Sequence, residues 1–159
     1  MQDMLVRLMA LPDVSAAEDR LATEGVLIRK PIAPEKSLLT QWTEANFSSF
    51  WASEVEVAFS QSPVSCFIAQ KEGKPIGFAC YETTSKSYFG PTGVLEQYRG
   101  SGIGKVLLVK ALQALKERGY VYGIIGGVGP AAYYQKAVGA VIIDGSEQSI
   151  YNHLLKKNG

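Results

Sequence analysis

The sequence predicts a single α/β domain: a mixed sheet of about six to seven strands, with helices on both faces, antiparallel hairpins early and one β–α–β crossover late. Three observations predict it. Strand-like runs at 65–70 and 76–83 flank the turn Lys71-Glu72-Gly73-Lys74-Pro75 and read as a hairpin. Residues 102–118 read as an amphipathic helix, with Ile103, Leu107, Leu108, Ala111, Leu112, Ala114 and Leu115 on one side and Lys105, Lys110, Gln113, Lys116 and Glu117 on the other. Further strand-like runs at 88–95 and 120–125 stand on either side of that helix, which makes the unit a right-handed crossover between parallel strands. A chain of 159 residues that is 47% hydrophobic suits one domain with a substantial core.

The remaining elements follow in order. Residues 1–24 read as an extension carrying one short helix over 13–24, capped by Ser15 and stopped at Gly25, ahead of a single domain at 25–159. A strand over 26–32 ends at Pro31 and Pro34. Residues 35–61 carry two helical stripes, one of Leu38, Leu39, Trp42 and Ala45, the other of Phe50, Trp51, Val55, Ala58 and Phe59. Asn46 and Ser48-Ser49 break them apart. Within 88–95, Gly90, Pro91 and Gly93 weaken a ladder and predict a bulge or a place where a ligand approaches the backbone. After the glycines Gly126, Gly127 and Gly129, Pro130 opens a short helix that ends before Gly139. Strands are expected at 140–143 and 149–154.

Composition narrows the function. The net charge of +1 gives no global field for nucleic acid or a membrane surface, and neither partner is expected. Cys66 and Cys80 lie in apolar runs and read as reduced core residues. His153 is the single histidine and no Cys/His cluster exists, so no metal site is expected. The first residues, MQDMLVRLMALPDV, do not have the pattern of a secretory signal, and no long apolar run exists; the cytoplasm is the expected compartment.

The informative stretch is Tyr98-Arg99-Gly100-Ser101-Gly102-Ile103-Gly104-Lys105, between a strand and the long helix. Glycines let backbone N–H groups converge, and the helix start adds partial positive charge, so the stretch is an anion cradle. Residues 94–118 carry five Lys/Arg against two Glu. A Walker loop fails here, because Arg99 stands where its first glycine belongs and Val106 follows the lysine. A dinucleotide fingerprint fails on the spacing of Gly100, Gly102 and Gly104. The pattern Arg-x-x-Gly-x-Gly, filled by Arg99, Gly102 and Gly104, fits.

With that pattern the sequence resembles the GNAT superfamily of N-acetyltransferases, over about Val26 to Tyr151. The resemblance implies that acetyl-CoA is the co-substrate, held through Val94, Glu96, Arg99, Gly100, Ser101, Gly102, Ile103, Gly104 and Lys105. It implies a bulged strand at Gly90–Gly93 that splays from its neighbour to admit the pantetheine arm, with the Val94 backbone at the thioester. It also implies a proton-donating tyrosine on the helix after the next strand: Tyr134, with the adjacent Tyr133 as the alternative. Glu96 stands where many relatives have proline, Gly127 where an asparagine is common, and Ala140 where an aromatic is usual. The acceptor implied is a small-molecule or peptide amine, and a homodimer is possible, since many members of the family are dimers. A second reading keeps the fold without the chemistry, as an acyl-CoA-binding regulatory module.

The chemistry needs a base, since an amine with a pKa of about 10.4 is neutral in only about one molecule in 2,500 at pH 7. Glu54, Glu56 and Glu82 are the candidates. Trp42, Phe50, Trp51 and Phe59 read as core residues or as lining of an acceptor pocket.

Overall fold

The structure, a computed structural model of the chain, describes residues 1–157. Seven strands form one sheet: β1 (Met4–Arg7), β2 (Val26–Arg29), β3 (Cys66–Lys71), β4 (Lys74–Tyr81), β5 (Tyr88–Val94), β6 (Tyr122–Ile125) and β7 (Val141–Ile142). Five helices accompany them: α1 (Ser15–Thr23), α2 (Lys36–Asn46), α3 (Ser49–Phe59), α4 (Ile103–Glu117) and α5 (Ala131–Val138). The strand order is β2-β3-β4-β5-β6-β1-β7. Every neighbouring pair is antiparallel except β5 and β6, which are parallel across α4, as the crossover pattern predicts.

The two faces of the sheet are packed differently. Strand β4 is buried from Ile76 to Tyr81, because helices cover it on both sides. Ala79 and Tyr81 join the cluster built on α4, whereas Phe78 and Cys80 join Leu39, Val55 and Ala58 of α2 and α3. Helix α4 buries a broader stripe than its wheel suggests, with Val106 and Val109 added to the expected residues. Each large aliphatic side chain buried this way contributes about 1.5–3 kcal/mol. Lys110 of α4 pairs with Glu18 of α1 at 3.1 Å and ties the short helix to the same face. Between α2 and α3, Ser48 accepts a hydrogen bond from the Trp51 amide at 3.1 Å, which starts the second helix where the stripes predict a break.

Three expectations are corrected. Residues 1–24 are not merely an extension: Met4–Arg7 form an interior strand between β6 and β7, with Met4 opposite Ile125 and Ile142. Met4, Val6 and Leu8 are fully buried there, and that alternation drives the insertion. Ser15 is the first residue of α1 rather than its cap; Val14 holds the cap position, and just ahead of it the Asp13 carboxylate accepts from the Ser15 amide at 2.9 Å. Residues 149–154 form turns rather than a strand, and the last strand is the two-residue β7.

Cys66 and Cys80 are free and buried, paired across β3 and β4. Among the described residues no helix is long and apolar enough to cross a membrane, and no group of three or more His, Cys, Asp or Glu is placed to hold a metal ion.

Candidate active site

The site begins with a gap in the sheet. Strands β5 and β6 pair only at Tyr88–Ile124 and Phe89–Ile125, yet β5 continues to Val94. β6 ends at Ile125, so beyond Phe89 no strand pairs with β5 on that side. The ladder between β4 and β5 shifts register between Ala79 and Tyr81, opposite Gly90 and Pro91. The bulge therefore lies where the ladder-weakening residues predict it. The Leu95 amide donates to the Ile76 carbonyl at 2.9 Å. By the alternation of an antiparallel ladder, the N–H and C=O of Val94 then point away from β4, into the gap.

At the far end of β5 the chain enters the glycine loop. Gly100 and Gly102 have φ of +81° and +92°, a left-handed backbone that glycine adopts without cost. Their turn sets the start of α4 so that its first amides face outward. Among the described residues, no acceptor meets the amides of Ile103, Gly104 and Lys105. Ser101 is held by its hydroxyl on the Tyr98 carbonyl at 2.6 Å, and its own carbonyl accepts from Arg20 of α1 at 2.9 Å. The Ile103 side chain is buried in the core, so only its backbone is available. Lys105 is exposed beside the loop, and Glu96 is exposed in the preceding turn without lining the cavity. The Arg99 Nε donates to the Val94 carbonyl at 3.1 Å, which places its guanidinium where loop and gap meet. Free amides, a helix start and two arginines fit a pyrophosphate.

Loop and gap open into one cavity of about 390 Å³. Val94, Arg99, Gly104, Pro130, Tyr133 and Tyr134 line one part, and Phe47, Trp51, Thr92 and Gly93 another. Tyr134 is 9% exposed, edge-on to Phe89 and to Tyr133. Burial, with Tyr133 beside it, pushes its phenol up to about 12, so it is protonated at neutral pH. Tyr133 is more exposed and lies nearer the loop, its hydroxyl 3.7 Å from where a Cβ on Gly104 would stand. Both expected tyrosines thus reach the cavity.

Phe47, which the helical stripes do not single out, forms the opposite wall. Its ring lies so close to Gly93 that a Cβ there would be 2.5 Å from it. Trp42, Trp51 and Phe78 surround that ring at centroid distances of 5.4–5.6 Å for Trp51, Phe78 and Trp42 alike. Of the four aromatics weighed as pocket lining, Trp51 lines the cavity, Trp42 and Phe59 pack against the core, and Phe50 is exposed.

The three carboxylates separate cleanly. Glu56 is exposed, on a different face of α3 from the cavity wall, in a shallow pocket with Lys36, Glu44 and Thr40. Glu82 is engaged: Arg118 donates to it at 2.6 Å and the Ser87 amide at 3.0 Å. Burial opposes its ionisation, but hydrogen bonds from Tyr120, Ser87 and Arg118 outweigh that and hold it below the ordinary range. Glu54 stands one helical turn beyond Trp51. Thr84 donates to its carboxylate, and the single hydroxyl proton of Thr83 is shared between that carboxylate and the Gly90 carbonyl of β5, 3.2 Å away. Burial raises its pKa, and the two threonine hydroxyls only partly offset the rise.

A mixed sheet split between two parallel strands, fronted by an uncapped helix start, defines a domain suited to an elongated, phosphate-bearing ligand. The chain belongs to the GNAT acetyltransferase family: the family model described as "Acetyltransferase (GNAT) family" matches residues 33–140. A comparison with curated proteins found no match. Among solved structures, a GCN5-related glucosamine N-acetyltransferase region of a fungal multi-domain β-N-acetylglucosaminidase is similar at TM-score 0.71 and 17% identity, over 89% of this chain and 19% of that one. A GCN5-related N-acetyltransferase from Sphaerobacter thermophilus is similar at TM-score 0.69 and 19% identity, over 89% of this chain and 48% of that one. A GNAT family acetyltransferase from Brucella melitensis, in complex with acetyl-CoA, is similar at TM-score 0.55 and 22% identity, over 70% and 80%. The chain thus spans about a fifth and about half the length of the first two, and these likenesses are of fold.

Proposed function

We propose that the chain transfers an acetyl group from acetyl-CoA to a primary amine by direct attack. The observation that carries this reading is convergence: the glycine loop, the outward-facing backbone of Val94 and the buried Tyr134 share one cavity with the aromatic wall beside Glu54.

The amides of Ile103, Gly104 and Lys105, with Arg99 and Lys105 adding charge, would hold the pyrophosphate, and the backbone of Thr92 and Val94 would run beside the pantetheine arm. Bound there, acetyl-CoA supplies the activated acyl group. Glu54 takes a proton from the ammonium of the acceptor, directly or through water, and its raised pKa makes it a stronger base than a solvated carboxylate. The amine nitrogen then bonds to the thioester carbonyl carbon as the C–S bond breaks. The Val94 N–H faces the gap where the oxyanion develops. Tyr134, protonated at neutral pH, gives its proton to the departing thiolate and takes back the second proton of the acylated nitrogen, and the proton held by Glu54 leaves to solvent.

The end proposed for the acceptor is walled by Phe47 and Trp51, with one half-buried carboxylate, Glu54, a helical turn beyond Trp51. That supports a monoamine with an apolar body over a polyamine, which needs several acidic groups. The Tyr134 side chain favours catalysis over mere acyl-CoA sensing. The test is calorimetry with acetyl-CoA, ATP and NAD, followed by thiol release across an amine panel. Acetyl-CoA alone is expected to bind, and apolar monoamines such as phenethylamine are expected to turn over faster than spermidine. Binding of ATP or NAD in its place, or no thiol release above background, would overturn the reading.

A further inference from the structure

Helix α1 reaches the glycine loop through Arg20. Its Nη2 donates to the Ser101 carbonyl at 2.9 Å, across 81 residues of chain. The same nitrogen stands 3.0 Å from where a Cβ on Gly102 would be, so it packs against the peptide that joins Ser101 to Gly102. The other arm, Nη1, lies 3.3 Å from Glu24, one turn further along α1. Two anchors hold α1 itself in place. Leu21 is fully buried in the core, and Glu18 pairs with Lys110 of α4 at 3.1 Å. Arg20 lies outside residues 33–140, the span that the family model matches.

We infer that Arg20 is a positioning residue of the cofactor loop, fixing the Ser101–Gly102 peptide so that its N–H is free for the phosphates. The inference rests on the reading of this loop as the pyrophosphate cradle. A trans peptide is planar, and its C=O and N–H point to opposite sides. With the Ser101 oxygen on Arg20, the Gly102 N–H points away from that guanidinium, and among the described residues no acceptor meets it. Gly102 directly precedes the free amides of Ile103, Gly104 and Lys105, so the fixed peptide adds a donor to that row. The loop needs fastening because Gly100 and Gly102, both left-handed, leave its backbone unusually free. The Ser101 hydroxyl secures one side of the turn on the Tyr98 carbonyl at 2.6 Å, and Arg20 secures the other. A cradle ordered in advance does not lose that freedom when the anion binds. The guanidinium is committed to the Ser101 carbonyl and to Glu24, so its part is to hold backbone rather than to take the phosphate itself.

The test compares the full chain with Arg20→Met, which keeps an unbranched side chain suited to a helix and removes the donors. Nitrogen-15 relaxation of the free protein reads the loop with no ligand present. The order parameter of the Gly102 amide should fall from about 0.85 toward about 0.6 in Arg20→Met. Calorimetry should show acetyl-CoA binding about tenfold weaker. S-acetylpantetheine carries the thioester without the pyrophosphate, and its kcat/KM with phenethylamine should be unchanged. A Gly102 amide that stays rigid would overturn the inference, and a simultaneous loss of acetyl-CoA affinity would then make Arg20 a direct phosphate ligand. Acetyl-CoA affinity that survives a mobile loop would overturn it as well. So would an equal loss with S-acetylpantetheine, the mark of a side chain that only supports the fold. Wild type that binds no acetyl-CoA would remove the cradle reading, while the free-protein amide would still decide whether Arg20 orders the loop.

Discussion

The two ends of the cavity are built from different material. The end proposed for the cofactor is backbone: amides at the start of α4, two left-handed glycines and the outward-facing peptide of Val94. The end proposed for the acceptor is side chains: the Phe47 ring on Gly93 and the Trp51 indole, with the Glu54 carboxylate one helical turn beyond Trp51. A backbone cradle binds phosphate whatever its residues are, provided the turn is possible. A side-chain wall is particular to one acceptor. Damage at one end should therefore appear as lost cofactor affinity, and at the other as lost turnover.

Glu54→Gln should break the acceptor end hardest. We expect kcat/KM for the amine to fall by roughly 10²–10⁴-fold, the range for general base catalysis, with acetyl-CoA affinity unchanged by calorimetry. Its pKa is raised on folding, so its favourable contribution to stability is complete below the ordinary carboxylate value and lost as pH rises through the raised one. Hence Glu54→Gln should melt above wild type at about pH 7, and the gap should close near pH 4. In wild type, kcat/KM should decline as pH falls through that same raised value. A melting temperature below wild type at neutral pH would mean that Glu54 is structural.

Tyr134→Phe removes only a hydroxyl. It should lower kcat by about 10²-fold and leave the cofactor bound. Loss on Tyr133→Phe instead would move the donor one residue toward the loop.

At the cofactor end the readout changes. Gly102→Val forces a β-branched residue into a left-handed backbone, at a cost of roughly 1–2 kcal/mol, and a Cβ there stands 3.0 Å from Arg20. With amide contacts also lost, acetyl-CoA should weaken by about 3 kcal/mol. Arg99→Ala should weaken it by about 1.5–3 kcal/mol. If both variants bind normally while turnover collapses, the two ends are not separate. The smallest effect sharpens the contrast: Glu56→Gln, exposed on the other face of α3, should change turnover less than about twofold, as surface substitutions usually do.

The same difference explains what could be read in advance. The cofactor end is contiguous, Arg99 to Lys105, and its glycine spacing, the bulged strand and the crossover helix were all legible. The proposed acceptor end draws Phe47 and Glu54 from around α3 and Thr84 from the β4–β5 turn, and no local pattern joins them. Three carboxylates remained equal candidates until burial and partners separated them: Glu82 is engaged by Arg118, Glu56 is solvated, and Glu54 is desolvated. Phe47 sits inside the break between two helical stripes, where periodicity says nothing about direction. β1 was missed although Met4, Val6 and Leu8 alternate, because four residues give a weak strand signal without a partner nearby. The apolar residues at 149–154 suggested a strand, yet they form turns and the Tyr151 ring lies over Gly126.

Strand β1 also sets an order of events. β2 to β5 pair through neighbours in the chain, whereas Met4–Arg7 find Tyr122–Ile125 more than a hundred residues later. Closing so long a loop costs entropy before any contact repays it, which makes this half of the sheet the slow half. At the usual pace of synthesis, about 5–20 residues per second, Met-Leu-Val-Arg waits on the order of ten seconds with both edges unpaired. For that interval the nascent chain carries a short apolar strand open to any passing edge, and the β2–β5 half must hold its shape without it.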